Sequence, residues 1–302
     1  MGIVRLSPRV RRKLRNGLLF TSPWLLGTLI FTIYPIVASL YYSFTDYSVL
    51  ASGRWVGLLN YRVMFLRDER FYTALKNTLV YACLLVPMSL TLGISIAALL
   101  NLKLRGMGIY RAAIYLPTVI PAVAASIVWL WLLDPQYGVA NDILRRLGAP
   151  TIGWLSDPKW AKPSLVLIST WGLGTTVIIY LAGLQDVPVS LYEAAELDGA
   201  GVLRRFRHVT LPMLSPTIFF NLVMTLIGAF GYFTTVFVLT RGQGGPVDST
   251  LVYSLLLYNN AFVYYKMGYA SAMAWILFIM VSLVTYLVFR SSGRWVYYGG
   301  GG

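Results

Sequence analysis

The sequence predicts an all-α membrane protein with six transmembrane helices, and its composition and charge pattern are the main reasons. Hydrophobic residues make up 57 % of the chain and charged residues only 12 %, whereas soluble domains contain about 25 % charged residues. Six separate windows without charged residues are long enough to cross a bilayer, which takes about 20 mostly apolar residues. A soluble fold does not need six such windows, because its surface helices keep one polar face.

The windows follow one another along the chain with short polar connections between them. They are residues 16–45, 77–102, 112–133, 163–185, 209–240 and 267–289. A seventh window, 249–265, contains Asn259 and Asn260 and is short for a span. We expect it to form a helix that dips into the membrane or lies along it. If it crossed instead, the C-terminus would change sides.

The distribution of Lys and Arg predicts that both termini are cytoplasmic, since cytoplasmic loops carry an excess of basic residues. With six spans, one side receives 14 of the 25 basic residues, including an N-terminal cluster of Arg5, Arg9, Arg11, Arg12, Lys13 and Arg15. The predicted organisation is a basic N-terminus over 1–15, a membrane domain over 16–290 and a tail over 291–302. Loops 45–75 and 134–162 then lie outside, with short helices. In so apolar a chain, the net charge of +14 favours contact with lipid headgroups and not with nucleic acid.

Several chemistries lack the residues that they require. The chain has one cysteine, Cys83, and one histidine, His208, so the sequence contains neither a metal-ligand cluster nor the parts of a Ser-His-Asp triad. No lysine follows a glycine, which excludes a P-loop for nucleotides. A channel or secondary transporter would need charged groups within the spans, and a membrane transferase would need an acid/base pair. These two classes stay as alternatives, and the chain is predicted not to be an enzyme.

Charge is concentrated in the loop 187–212, which lies between the fourth and fifth windows. After a proline break, Ser190 and Glu193 have the spacing of a capping box, which starts a helix. The helix "LYEAAELD" then reaches Gly199, a residue that can adopt the left-handed conformation found at helix ends. Ala194 and Ala195 are small, so another protein can approach this helix closely.

A second short helix completes this loop. Gly201 permits another turn, and a basic helix over 202–209 is predicted to end at Leu211-Pro212. The two helices would form an exposed elbow on the cytoplasmic side.

The elbow resembles the EAA loop in the membrane subunits of bacterial ATP-binding cassette (ABC) importers. The resemblance rests on Glu193-Ala194-Ala195, on Gly199, and on Val209 and Leu211-Pro212 at family spacing, although isoleucine is usual at the position of Val209. "EAAELDGAG" is similar to the carbohydrate branch. Further segments resemble the first permease of maltose- and glycerol-3-phosphate-type importers, namely 23–47, 57–65, 77–81, 115–141 and "RWVYY" at 294–298.

This resemblance implies a type I ABC importer permease fold in the bacterial cytoplasmic membrane, with a cytoplasmic coupling helix between spans four and five. The partners would be a second permease, two ATPase subunits and an extracytoplasmic solute-binding protein. The chain would bind no cofactor itself, and ATP and Mg would act on the ATPases. Residues expected to couple to the ATPase are Glu193, Ala194, Ala195, Asp198, Gly199, Arg204 and Arg205. For the two arginines, contact with lipid headgroups is an equal alternative.

The substrate implied by the resemblance is a mono-, di- or oligosaccharide, with glycerol-3-phosphate or another polar solute as the alternative. Sugars are bound by aromatic faces and neutral hydrogen-bonding groups. Candidate contacts in the later spans are Trp171, Tyr180, Asn221, Tyr232, Phe233, Thr234, Thr235, Tyr258, Asn259 and Asn260. Each could instead serve helix packing. Gly228 and Gly231 are expected to allow close helix approach.

Overall fold

A computed structural model describes residues 7–102 and 104–297. The predictions for Arg5, the side chain of Arg11, Lys103 and the tail beyond residue 297 lie outside the described residues.

The described part is helical, and its only pairings of the β type are two isolated bridges in the loop after the second helix. The α-helices are α1 Pro8–Thr28, α2 Tyr34–Ser43, α3 Leu59–Leu66, α4 Glu69–Leu100, α5 Met107–Val119, α6 Ala122–Leu132, α7 Val139–Arg146, α8 Pro158–Trp171, α9 Gly174–Gln185, α10 Val189–Leu197, α11 Val202–Arg205, α12 Leu211–Phe230, α13 Thr234–Thr240, α14 Tyr253–Tyr258 and α15 Met267–Ser292.

Helices cover all six predicted windows. In the described part of the chain, four helical stretches are long and apolar enough to cross a membrane: Pro8–Ser43, Glu69–Leu100, Val202–Thr240 and Met267–Ser292. The third and fourth windows are bent pairs, α5 with α6 at 101° and α8 with α9 at 53°. The count of six spans therefore holds when each bent pair is one span.

Local sequence explains both bends. Pro121 follows Ile120, and a residue before proline is driven out of the helical region. Ile120 accordingly has φ −73° and ψ 127°, which ends α5. In the fourth window α8 ends at Gly172, where glycine costs helix stability.

The ambiguous window 249–265 does not form a full span. It contains α14, of six residues, followed by a π-helical turn of five residues, Asn259–Val263. Together they are shorter than the ~20 residues that a crossing requires.

The chain divides into two compact units, and the larger comprises residues 67–259 and 276 onward. Its centre is α4, which packs against α8, α9, α12 and α14. A buried cluster joins α4, α9 and α12: Ala97, Leu100, Leu173, Val177, Tyr180, Leu181, Leu184 and Leu214. This core holds the helices that lead into and out of the loop 187–212.

The smaller unit comprises the described residues up to Leu66 together with 260–275. Asn60 is the centre of its polar contacts, since its amide donates to the carbonyl oxygens of Ser43 and Thr45 at 2.9 and 2.8 Å. Gly268 donates its N–H to the Tyr47 carbonyl at 2.9 Å, and a side chain here would meet the Thr45 backbone.

The glycines at close helix contacts are not those that were predicted. A Cβ at Gly228 would meet nothing within 4 Å, and one at Gly231 would meet only carbonyls of its own helix. At Gly174, by contrast, a Cβ would lie 2.5 Å from the Ile114 carbonyl of α5. The prediction for Gly228 and Gly231 is therefore wrong within this chain. Which glycine lies at a close helix contact depends on how the helices pack, and the presence of glycine in a span does not indicate it.

Candidate functional site

The first helix of the loop 187–212 begins earlier than the capping box predicts. α10 starts at Val189 with Pro188 at the N-cap, and no side chain caps it. Ser190 therefore lies inside the first turn, so the predicted capping box is wrong. Pro188 has an extended backbone, with φ −58° and ψ 128°, and the residue before a proline is held out of the helical region, so α10 can start no earlier than Val189.

The end of α10 is as predicted. Gly199 has φ +74°, a conformation that glycine adopts without the cost met by other residues. The N–H of Ala200 donates to the Ala195 carbonyl at 2.9 Å and that of Gly199 to the Glu196 carbonyl at 3.0 Å. These bonds satisfy the last carbonyls of the helix and turn the chain sharply.

The second helix does not end at Leu211-Pro212. α11 continues through a π-helical turn, Phe206–Thr210, directly into α12. A π turn accommodates the missing N–H of Pro212 without breaking the helix. The elbow is thus one short helix, α10, joined at Gly199 to the extension of a span.

Charged and apolar groups of the elbow are exposed. Glu193, Ala194, Asp198, Gly199 and Arg204 are exposed, while Ala195 and Arg205 are partly covered. Leu197 is 89 % exposed, and Val202 and Leu203 are also exposed. Single apolar residues on a surface are ordinary, but here they surround the helix end that also presents Glu193 and Asp198.

One ion pair links the two arms of the elbow. Arg205 Nη1 lies 3.0 Å from Glu196 Oε2. An exposed pair contributes at most about 1 kcal/mol, so it orients the arms more than it stabilises them. A cleft of about 240 Å³ between the arms is lined by Ala195, Asp198, Ala200, Arg204, Arg205, His208 and Val209.

A second feature is a cavity of about 470 Å³ in the larger unit, within the size range of small-molecule sites. Its aromatic lining residues are Tyr81, Trp129, Trp171 and Tyr232, and its hydroxyl-bearing ones are Ser89, Thr118, Ser126, Ser169, Thr175, Thr176, Thr225 and Thr235. Of the described residues that line it, none carries a charge. Such a lining suits an uncharged molecule with hydroxyl groups and apolar faces.

The aromatic residues of the cavity are held in place by one another. The Tyr81 and Tyr232 rings stack with centroids 4.5 Å apart and planes 14° apart. The Tyr81 hydroxyl is hydrogen-bonded to Ser169 Oγ at 2.7 Å. Trp129 and Trp171 meet edge to face at 5.9 Å.

Some polar atoms of the cavity's lining residues are buried without a hydrogen-bond partner. Ser89 Oγ and Trp129 Nε1 are among them in the described part of the chain. A buried donor without a partner costs about 1–3 kcal/mol, and a bound hydroxyl group would remove that cost.

Three of the predicted substrate residues, Trp171, Tyr232 and Thr235, line this cavity. The others lie elsewhere. Tyr180 is in the core cluster, and Asn221 donates to the Thr217 carbonyl of its own helix at 3.0 Å. Thr234 is the exposed first residue of α13.

The remaining candidates take part in packing contacts. Phe233 and Tyr258 form a ring cluster with Phe237, at 5.0–5.4 Å between centroids. Asn259 donates to the Gly242 carbonyl at 2.9 Å. Asn260 lies in the smaller unit, where its amide is 3.7 Å from Met273 Sδ.

Sequence reasoning missed Tyr81, Trp129 and Ser169 as cavity residues. The available signal was a polar or aromatic residue inside a charge-free window. That signal is weak, because most such residues in spans serve packing. Among the described residues, no group of three His, Cys, Asp or Glu side chains could hold a metal ion.

Comparison with known proteins establishes the family. Residues 89–296 match the family described as "binding-protein-dependent transport system inner membrane component". The chain belongs to this family. It is therefore an inner-membrane permease subunit of a binding-protein-dependent transport system.

Full-length relatives agree with this assignment. The permease is 43 % identical to the "Probable ABC transporter permease protein YesP" of Bacillus subtilis, over 97 % of this chain and 95 % of the relative. It is 38 % identical to the lactose transport system permease protein LacF of Rhizobium radiobacter, over 92 % of this chain and 94 % of the relative. The arabinooligosaccharides transport system permease protein AraP of Bacillus subtilis is 33 % identical, over 91 % of this chain and 88 % of the relative.

Solved structures share the fold. A chain of a bacterial ABC transporter involved in the import of the acidic polysaccharide alginate matches with a TM-score of 0.83 and 24 % identity. The match covers 95 % of the permease and 99 % of that chain. At this identity the likeness supports the ABC importer permease fold and nothing more specific.

Proposed function

We propose that the chain is the permease subunit of an ATP-driven importer that moves a saccharide across the cytoplasmic membrane by alternating access. Relatives that carry sugar names, for lactose and arabinooligosaccharides, support the substrate class. A second permease, two ATPase subunits and a solute-binding protein complete the importer. ATP and Mg bind the ATPase subunits.

One observation carries the ATP-driven mechanism: a short helix that ends in an exposed, left-handed Gly199. The chain has no lysine after a glycine and thus no P-loop, so in this proposal ATP is hydrolysed by another subunit. Helix α10 presents small and acidic residues together with exposed Leu197, which suits insertion into a cleft of a partner. Glu193, Ala194, Ala195, Asp198 and Gly199 are proposed to contact the ATPase, and Arg204 and Arg205 to flank that contact.

The Glu196–Arg205 ion pair refines the role of the two arginines. Arg205 is already engaged with Glu196 within the elbow, so it contributes to the orientation of the two arms. The Arg204 carbonyl accepts from His208 Nδ1 at 3.0 Å, and its side chain stays exposed. Arg204 is therefore the better candidate for direct contact with the ATPase or with headgroups.

Substitution at Gly199 tests this proposal. Gly199→Ala is expected to weaken ATPase association and uptake, because φ +74° costs an L-residue about 1–2 kcal/mol. Gly199→Pro should abolish both. The matched control is Gly201→Ala, since Gly201 has ordinary φ −66° and equally open surroundings. Unchanged co-purification with the ATPase and unchanged uptake in Gly199→Pro would refute the coupling role.

The uncharged cavity is proposed as the saccharide site. Tyr81, Trp129, Trp171 and Tyr232 provide aromatic faces for the C–H surfaces of a sugar, and the hydroxyl residues exchange hydrogen bonds with its hydroxyl groups. A phosphate would require a buried cation, which the described lining lacks. The lining therefore favours a neutral sugar over glycerol-3-phosphate.

A further inference from the structure

The helix that connects the elbow to the fifth span contains two prolines, Pro212 and Pro216. Neither has a backbone N–H, so each removes one rung of the helical hydrogen-bond ladder. Just before them, the Leu211 N–H bonds to the Phe206 carbonyl five residues back, in the π turn. Three consecutive irregularities make this segment the place where the helix would bend.

Ser215 of the same helix satisfies the carbonyl that Pro216 leaves without a partner, and the C-terminal tail bonds to Ser215. The carbonyl of Pro212, four residues before Pro216, has lost its usual partner. Ser215 Oγ donates to that carbonyl at 2.6 Å and accepts the N–H of Tyr297 at 2.8 Å. Ser215 is buried, so these bonds are shielded from water. The tail backbone is thus joined through one hydroxyl group to the weakened turn.

Aromatic packing holds the tail in this position. The Trp295 ring meets the Phe219 ring at 6.0 Å, and Phe219 meets Phe289 of α15 at 4.8 Å, both edge to face. The N–H of Val296 donates to the Ser292 carbonyl at 2.8 Å, a bond that joins the tail to the last turn of α15. Such ring pairs contribute about 0.5–1.5 kcal/mol each beyond area burial.

The elbow also contacts this weakened segment. The Tyr192 hydroxyl of α10 is hydrogen-bonded to Thr210 Oγ1 of the π turn at 2.9 Å. A displacement of α10 would therefore act on the helix at Thr210, close to the two prolines.

We propose that residues 294–297 form a strap that stiffens the helix at Pro212 and Pro216 and ties it to α15. A movement of the elbow then displaces α12 and α15 together, and little of it is lost in bending at the prolines. Ser215 and Trp295 are positioning residues in this scheme, which rests on the proposed coupling role of the elbow.

Substitution of Tyr297 isolates the strap hydrogen bond. Tyr297→Pro removes the backbone N–H that Ser215 accepts, whereas Tyr297→Ala keeps it and removes only a side chain that is exposed. A second pair is Trp295→Ala against Trp295→Phe, which keeps a ring at Phe219.

Backbone hydrogen exchange over residues 206–220, in the assembled transporter, measures the stiffness of the helix directly. We expect exchange about fivefold faster in Tyr297→Pro and Trp295→Ala, which corresponds to one hydrogen bond or one ring contact, and unchanged in the two controls.

A reporter thiol measures transmission without knowledge of the sugar. In a Cys83→Ser background, Thr175→Cys places a thiol at the cavity, and its labelling rate by an impermeant maleimide is compared with and without ATP. We expect the ATP-dependent change in rate to fall about fivefold in Tyr297→Pro and Trp295→Ala, with ATPase co-purification intact.

The outcomes separate the strap from the coupling function. Unchanged exchange in Tyr297→Pro and Trp295→Ala would overturn the strap. Faster exchange with an unaltered ATP response would overturn its role in transmission. If the unsubstituted chain does not co-purify with an ATPase, the coupling function and the strap's part in it fail together, whereas failure of the strap alone leaves co-purification unchanged.

Discussion

Single residues decide which polar groups are free to meet a ligand. In the membrane interior an unpaired polar group is costly, so most candidates are already engaged within the chain. Asn221 bonds to its own helix and Asn259 to the Gly242 carbonyl. Tyr232 instead faces the cavity beside Tyr81. Whether a residue can contact a sugar therefore depends less on its type than on whether its polar group is already bonded within the chain.

At this scale, Tyr232→Ala should raise the sugar concentration for half-maximal uptake by about tenfold. The substitution removes a ring face and its stack on Tyr81, an effect of about 0.5–1.5 kcal/mol for the ring pair and more with a bound sugar. Asn259→Ala should instead lower the amount of folded protein, because it removes the donor to the Gly242 carbonyl. Uptake assays with the sugar carried by the cognate binding protein distinguish the two effects. An unchanged concentration dependence in Tyr232→Ala would contradict the cavity as the sugar site.

Helices are placed by close contacts at a few small residues. Gly174 begins α9 beneath the carbonyl of Ile114 in α5, and Gly93 of α4 lies under the ring of Tyr180. At both positions a side chain would collide with a neighbour. Membrane helices have little hydrophobic drive to associate, so close backbone approach at small residues carries much of the packing. This is why the exact glycine matters more than the number of glycines.

For these elements we predict that Gly174→Ala destabilises the protein by about 1–3 kcal/mol, the usual cost of overpacking. The added Cβ would lie 2.5 Å from a backbone carbonyl, which cannot rotate away. Gly108→Ala is the matched control, since a Cβ there meets nothing within 4 Å and alanine favours the helix. Thermal unfolding in detergent compares the two. Equal unfolding temperatures would show that α5 and α9 do not approach as described.

At the scale of the whole molecule, the proposed mechanism depends on which loops face the cytoplasm. If both termini are inside, the elbow is cytoplasmic and the loop between the fifth and sixth spans is outside. Two strongly exposed residues report on these loops: Leu197, 89 % exposed, and Val247, 90 % exposed. The native Cys83 is itself exposed and has to be replaced in such a test.

In a Cys83→Ser background, Val247→Cys should react with an impermeant thiol reagent in intact cells. Leu197→Cys should react only after the membrane is permeabilised, because the reagent carries charge and does not cross the bilayer. Labelling of Leu197→Cys from outside would place the elbow on the wrong face for an ATPase and would end the proposed mechanism.

The sequence by itself determined the helical class, the six windows and the elbow whose first helix ends at Gly199. These features follow from local properties: runs without charge, proline and glycine at helix ends, and the spacing around Glu193-Ala194-Ala195. Only the tertiary structure decided that α11 runs on into α12 and that α5 and α9 meet at Gly174. It also decided that Trp171, Tyr232 and Thr235 share a cavity while Asn221 and Asn259 do not. The physical reason is that a polar or small residue in a span can serve packing or a ligand equally well, and the choice depends on neighbours distant in the chain.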